Sequence, residues 1–366
     1  RIAAEVLEGQ DCYRGFVGQG ECRRRHARFS RTAIGDARTL RRGVDAIVDE
    51  ADITDEAEAL AGDGAQQMLF FAAIADGRLD EAAKKAGVTI DWRQFSSGGD
   101  ISTALASGNV PIGVIGSTGT AASATRGVDL QLFWILDNIG KSEALVVRNG
   151  SGIEKPQDLV GKKVGVPFVS TSHFHLLVGM DKVWNIKPAD VQILNMKPPQ
   201  IVAAWQRGDI DAAYVWPPAL SEIQKTGKTI SDSEVIGAAS VPTFDGLVVD
   251  KAWAAENPKL MEAFTKVLAD AYADYNANKA AWTEESPQVE GIVKLIGGDG
   301  PSTVEALRLL SFPNADEQAS EVWLGGGATR ALTESAKFLV EQKQISQSLD
   351  DYAPYVNADF AKAAAQ

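Results

Sequence analysis

Two short runs of hydroxyl residues are placed where they could bind an anion. Ser170, Thr171 and Ser172 follow the apolar run Val164–Val166 and lead into Phe174–Met180. Ser117, Thr118 and Thr120 follow the apolar run Val110–Ile115. Hydroxyls and free N–H groups at a helix start make an anion site. A cap needs one hydroxyl and contributes about 1 kcal/mol. Three hydroxyls in four positions exceed that need and point to ligand contact. His173 stands beside the first run, where it packs, caps or touches ligand. Trp216 ends the run Ala212–Val215 ahead of Pro217. Pro217 cannot donate to a strand ladder and suits the first turn of a helix. Trp216 therefore joins a core or walls a cleft. The strand-end position favours the cleft, where its face can hold a cation.

Two carboxylates share one local form. Glu143, in KSEALVV, and Asp245, in VPTFDGLVVD, each stand just before an apolar strand. They mark surface turns or hold a ligand ammonium. Acid/base work by such a pair would need a reactive partner. The sequence offers no nucleophile beside a base, no GxSxG, no phosphate loop and no metal-ligand pattern. The histidines are His26, His173 and His175, and the last two cannot share a helix face. Cys12 and Cys22 have neither zinc nor CxxC spacing. A disulfide and two separate thiols both remain open there.

The elements that must position these residues alternate. Met68–Asp76 and Leu79–Lys85 read as helical, and Val88–Phe95 alternates like a strand. Asp100–Ser107 is a helix closed by Gly108, and Val110–Ile115, Leu130–Leu136 and Glu143–Val147 are strands. Such alternation predicts an α/β architecture with mostly parallel sheets. Beyond Lys251 the chain is Ala-rich and helical, in stretches through about Lys279, Val289–Leu295, Thr303–Leu310 and Ala328–Glu341. One unit occurs twice at a spacing of one hundred, as ALASGNVPIGVIGSTGT (104–120) and AWQRGDIDAAYVWPPAL (204–220). Gly108 matches Gly208 and Ile115 matches Val215. The repeat predicts two lobes, each offering a strand end to a shared cleft.

The chain has 366 residues, 45% of them hydrophobic and 23% charged, which suits a globular protein of two or three domains. A net charge of -13 without a basic stripe argues against nucleic acid as partner. No apolar run reaches membrane-spanning length. Residues 1–42 hold ten arginines and no lysine, and 43–65 hold eight acidic residues and no basic one. The first lysine is Lys84. Residues 1–65 thus read as an atypical extension, loosely helical or disordered. A sharper expectation is that they come from a wrong frame or a wrong start.

Several stretches together closely resemble the periplasmic taurine-binding proteins. They are DWRQFSSGGDISTALASG, GSTGT, SEALVV, PQDLVGKKVGVPFVSTSHF, PPQIVAAWQRGDIDAAYVWPP and EVWLGGG. Those proteins belong to the nitrate/sulfonate/taurine group of substrate-binding proteins of ABC importers. The resemblance covers about residues 66–355. It implies a two-lobed periplasmic-binding-protein fold, type II-like, hinged on two crossing strands near Leu145–Arg148 and Thr243–Val248. Residues 66–146 would begin lobe one, 147–243 would form lobe two, and 244–366 would complete lobe one with the C-terminal helices. The resemblance implies no catalysis, no cofactor and no metal. It implies a periplasmic monomer that delivers taurine, another aliphatic sulfonate or a nitrate-type anion to a permease and its ATPase. An enzyme of pyrimidine-precursor synthesis on the same fold is the rival from another class.

Matched position by position, the sulfonate would meet Ser117, Thr118, Thr171, Ser172 and His173. Trp216 would line the cleft, and Asp245 and Glu143 would hold the amine. In the family a first strand ends at the ligand, and Gln67 falls where that end should be. The residues before it, ALAGDGA, are poor strand formers, so an altered first strand and weaker folding or binding are expected.

Overall fold

The repeated unit is present twice, once in each of two sheets. In the computed structural model, which describes residues 67–93, 98–108 and 110–366, the first copy runs through the helix Gly98–Ala106, the strand β1 (Ile112–Gly116) and the helix Ser117–Thr125. The second copy is the helix Pro198–Arg207, the strand β6 (Ala212–Val215) and the helix Ala219–Gln224. Each first helix is stopped by a glycine in the left-handed region, Gly108 at φ +72° and Gly208 at φ +81°. Glycine takes that conformation at no steric cost, and it frees the chain to turn into the strand. The second helix of the later copy starts at Ala219, with Pro218 as its N-cap, rather than at Pro217.

The first sheet has the order β1, β8 (Phe244–Asp250), β2 (Leu130–Asn138), and both pairings are antiparallel. The second has the order β5 (Gln192–Asn195), β4 (Lys163–Val166), β6, β3 (Ala144–Arg148), β7 (Gly227–Asp232). Only the two pairings made by β4 are parallel. The expectation of mostly parallel sheets therefore fails. Two strands, β3 and β8, enter their sheets from the opposite lobe and run against their neighbours. The expected strand over Val88–Phe95 is also absent through Arg93, and residues 94–97 lie outside the described set. Among the described residues no strand lies beside it. Its alternation instead sends Ile90 and Trp92 onto the core, and the Trp92 indole donates to Asp80 at 3.0 Å.

The chain passes between the sheets twice, over residues 139–143 and 239–243. The two passages are bonded to each other, Ile139 N donating to Thr243 O at 3.1 Å. The passages thus lie a few residues before the segments Leu145–Arg148 and Thr243–Val248, near which the hinge was expected. Most of both expected segments is regular strand inside a sheet.

One core gathers Phe133, Trp134, Leu247, Val248, Phe264 and Tyr272 around the first sheet. A second gathers Leu145, Val164, Phe174 and Tyr214 on one face of the other sheet, and a third gathers Val146, Ile201, Trp205 and Val215 on its opposite face. The C-terminal helix Gly327–Glu341 adds Leu332, Ala336, Phe338 and Leu339 to the second core, beside Ala121, Ala122 and Ala124. Tyr352 and Thr125 share a 2.5 Å hydroxyl bond. The C-terminal segment therefore divides its packing between cores. Residues 1–65, with Cys12, Cys22 and the expected extension, lie outside the described residues, as does the altered first strand.

One irregularity sets the site. The β2–β8 register pairs Ile135 with Gly246 but Asp137 with Asp245, so Leu136 is bulged out of the ladder. The freed Leu136 carbonyl accepts from the Tyr272 hydroxyl at 2.6 Å. Buried Gln318 clamps the residue before it, accepting from Ile135 N at 2.8 Å and donating to Ile135 O at 2.7 Å. Gln318→Ala strands both backbone groups in the interior and is expected to cost about 3 kcal/mol. Urea unfolding checks this, and an unchanged midpoint would remove the clamp from the account.

Candidate functional site

The site is assembled at strand ends, where β1, β8 and β2 of the first sheet meet the passage into β3. Gly116, Asp245 and Asp137 stand side by side across the three strands. Asp245 is the second residue of β8, inside the strand rather than before it. Gly116 is also the N-cap of the helix Ser117–Thr125. A Cβ added at Gly116 would lie 3.2 Å from Asp245 Oδ1 and 3.3 Å from Thr171 Cγ2. Glycine here lets a carboxylate of the first sheet and a helix start of the second approach one point.

That second helix, Thr171–Val178, is capped by Ser170, whose hydroxyl accepts from His173 N at 3.1 Å. One hydroxyl does the capping, which leaves the next two for other work. Thr171 donates to Glu143 Oε1 at 2.5 Å. Ser233 donates to Glu143 Oε2 at 3.3 Å and itself meets the Tyr214 hydroxyl at 2.9 Å. The Ser172 hydroxyl is buried near Glu143, which it helps to keep ionised, without a well-formed hydrogen bond. Ser117 and Thr118 also have hydroxyls buried and unpartnered, whereas Thr120 turns back to Gly116 O at 3.1 Å. Buried polar groups ordinarily find partners. Three that do not, at the starts of two converging helices, suit an anion better than a core.

Three carboxylates complete the arrangement. Asp137, Glu143 and Asp245 are 0%, 0% and 7% exposed, and no ion pair reaches any of them among the described residues. Burial pushes the Asp245 carboxyl up to about 7. Burial pushes Glu143 to about 7 as well, with Asp245 adding repulsion and the Thr171, Ser172 and Ser233 hydroxyls opposing it. Asp137 is also held well above the usual carboxylate range, by burial first and then by the Asp245 charge, with the Asp245 backbone N–H opposing and Glu143 adding to the shift. His173 is pushed down to about 4 by burial and is neutral at pH 7. Its ring stacks on Phe168 at 4.2 Å, meets Phe338 edge-on at 5.4 Å, and leaves Nδ1 unpartnered. His175, also pushed down to about 4 by burial, spends Nε2 on Val241 O at 3.0 Å and belongs to the packing.

Thr171, Ser172, Glu143, Asp245, Ser117 and Thr118 thus come together. Trp216 stands one residue beyond the Ala144–Val215 pair, which sets it opposite Glu143 in the ladder. It is half-buried against the third core. Gln67 stands at the N-cap of the helix Met68–Ala75 without a side-chain cap bond. Sequence reading missed Asp137. In LFWILDN it looks like the polar end of a strand. Only the Leu136 bulge and the distant partner Asp245 bring it to this point. No group of three or more His, Asp or Glu among the described residues is placed to hold a metal ion.

Two sheets joined by two passages, with anion-ready helix starts and buried carboxylates at the strand ends between them, define a two-lobed binding protein of the periplasmic-binding-protein fold. The chain belongs to the family described as NMT1/THI5 like, which matches residues 84–281. It is 42% identical over 283 residues to the taurine-binding periplasmic protein of Escherichia coli K12, covering 76% of this chain and 86% of that one. Its fold is similar to the periplasmic aliphatic sulphonate binding protein SsuA from Escherichia coli, with TM-score 0.65 and 19% identity over 81% of this chain and 96% of that one. It is also similar to the alkanesulfonate-binding protein SsuA from Xanthomonas axonopodis pv. citri bound to MOPS. There the TM-score is 0.61 with 18% identity, over 76% of this chain and 91% of that one. The Escherichia coli K12 relative is named for binding, and the chain belongs with such substrate-binding proteins.

Proposed function

We propose that this protein binds taurine, 2-aminoethanesulfonate, between its lobes in the periplasm and delivers it to an ABC-type permease and its ATPase. Residues 66–138 and 244–366 would make one lobe and 144–238 the other, because a break at 146/147 would cut β3 in two. The observation that carries the reading is the pairing of opposite chemistries within one small site. Unpartnered hydroxyls at two helix starts suit a sulfonate. Buried carboxylates without a cationic side chain suit an ammonium. Taurine supplies both groups two carbons apart. Ser117, Thr118, Ser172 and His173 would face the sulfonate, Asp245 and Glu143 the ammonium, and Trp216 the methylenes. A micromolar complex needs about 8 kcal/mol, which several charge-assisted hydrogen bonds can supply.

Calorimetry with taurine, ethanesulfonate and nitrate tests the reading. Taurine is expected to bind at least tenfold more tightly than ethanesulfonate, and nitrate more weakly still. Equal affinity for the two sulfonates would leave a sulfonate-binding protein without amine recognition, and no sulfonate binding at all would refute the proposal. Thr171→Val removes a donor to buried Glu143 and is expected to weaken taurine about tenfold at pH 7. The loss should shrink at pH 9, where Glu143 is ionised without help. A pH-independent effect would mean that Thr171 acts on the sulfonate alone.

A further inference from the structure

Asp137 is the one carboxylate of the three that the proposed ligand contacts do not use. It stands directly opposite Asp245 in the β2–β8 ladder. Side chains of directly opposed residues leave the sheet on the same face, with Cβ atoms about 5 Å apart. Both Asp137 oxygens and Asp245 Oδ2 lack a hydrogen-bond partner. Two facing carboxylates are two acceptors, and they can bond each other only if one keeps a proton.

The surroundings decide which one keeps it. Asp245 Oδ1 lies over Gly116, the N-cap of the helix Ser117–Thr125, whose positive end favours a negative charge there. Asp137 sits one strand further out and is fully buried. The groups that face it are the Asp245 and Glu143 carboxylates, the Asp245 backbone N–H, which opposes the effect of burial, and the Tyr272 hydroxyl of the helix Pro258–Asn278. None is a cation. The Tyr272 proton is already given to Leu136 O.

We propose that Asp137 is a positioning residue: as a neutral carboxylic acid it donates its O–H to Asp245 and holds Asp245 ionised for the ligand's ammonium. The assignment rests on the proposed amine-binding role of Asp245. A hydrogen bond to the charged form favours that form, so Asp137 extends the range over which Asp245 is an anion toward lower pH. The device also explains three carboxylates in a site for one ammonium. Two hold the ligand's charge, and the third is a donor that resembles a carboxylate only in its sequence letter.

The test follows taurine affinity from pH 5 to 9 in the wild type, Asp137→Asn and Asp137→Ala. The amide of Asp137→Asn still donates, so its affinity and its acid midpoint should match the wild type within about threefold and about 0.3 pH unit. Asp137→Ala removes the donor, so its midpoint should rise by about one pH unit, with affinity at pH 9 nearly restored. A tenfold loss in Asp137→Asn at every pH would make Asp137 an ionised ligand contact and overturn the proposal. An unchanged midpoint in Asp137→Ala would overturn it in favour of packing alone. Infrared spectra of the unliganded protein at pH 7 provide a reading independent of taurine. A protonated-carboxyl band that Asp137→Asn abolishes is expected, and its absence in the wild type would refute the proposal. Should the wild type fail to bind taurine, the proposed function falls while this spectrum still judges Asp137.

Discussion

Asp245→Asn is expected to weaken taurine binding by about 100-fold while leaving ethanesulfonate within about threefold. The argument is one of matched charges. Asp245 is buried beside Gly116, and no Lys or Arg among the described residues pairs with it. An ammonium placed there replaces water with a charge-assisted hydrogen bond in a poorly solvated site. Truncating one partner of such a pair costs about 2–5 kcal/mol. The asparagine keeps the shape and loses the charge, so the sulfonate end is spared. The same substitution should raise the melting temperature of the unliganded protein by about 3 °C at pH 8. It removes a charge held close to the Glu143 carboxylate with no cation to balance it, a relief on the order of 1 kcal/mol. Binding sites commonly carry such a stability cost. Calorimetry and a thermal melt read the two effects separately. A taurine-to-ethanesulfonate ratio that survives the substitution would take Asp245 out of amine recognition.

The second large effect is a crossing of two pH dependences. Glu143 and Asp245 titrate near 7 in the folded chain and near 4 when unfolded. Between those values the folded chain binds more protons, so their contribution to stability falls as pH rises through that window. The slope is at most about 1.4 kcal/mol per pH unit for each group. His173 and His175 act in the opposite sense. They titrate near 4 when folded and near 6.5 when unfolded, so their contribution is present above 6.5 and is lost as pH falls toward 4. Below pH 6.5 the two pairs largely cancel, and above it only the carboxylates remain. The unliganded protein should therefore melt lower at pH 8 than at pH 6.5. On the proposed contacts taurine's ammonium needs those same carboxylates ionised, so the rise in melting temperature that it produces should grow across the same interval. Melts with and without taurine at half-unit steps check both slopes. A taurine effect that shrinks from pH 6.5 to 8 would contradict the ammonium–carboxylate account.

Much of this was legible in the sequence because it is local. Gly108 and Gly208 announce themselves as helix stops, and the units they close recur in both sheets. The surplus of hydroxyls after a strand is a local signal too, and Ser170 takes the cap, so that Thr171 can turn to Glu143 and Ser172 is not needed for capping. What was not legible depends on partners far along the chain. The direction of β3 and β8 relative to their neighbours is set by which passage delivers them, not by their own alternation. The Val88–Phe95 stretch has a strand's period, but period gives a face and not a partner. Asp137 needed both a bulge and a residue more than a hundred positions away. Gln318, which clamps that bulge, lies a further stretch along in a short helix with no pattern to mark it.

The missing side chain at residue 116 has a consequence for what this protein can admit. Where Gly116 lies, the bottom of the site is peptide, with Asp245 standing on it from one sheet and Thr171 leaning over it from the other. Any replacement there adds atoms between the two, as a wedge under a closing jaw. Ligand choice can drift at the hydroxyls and carboxylates above. At that one position the depth of the site is already at its limit, and substitution can only make it shallower.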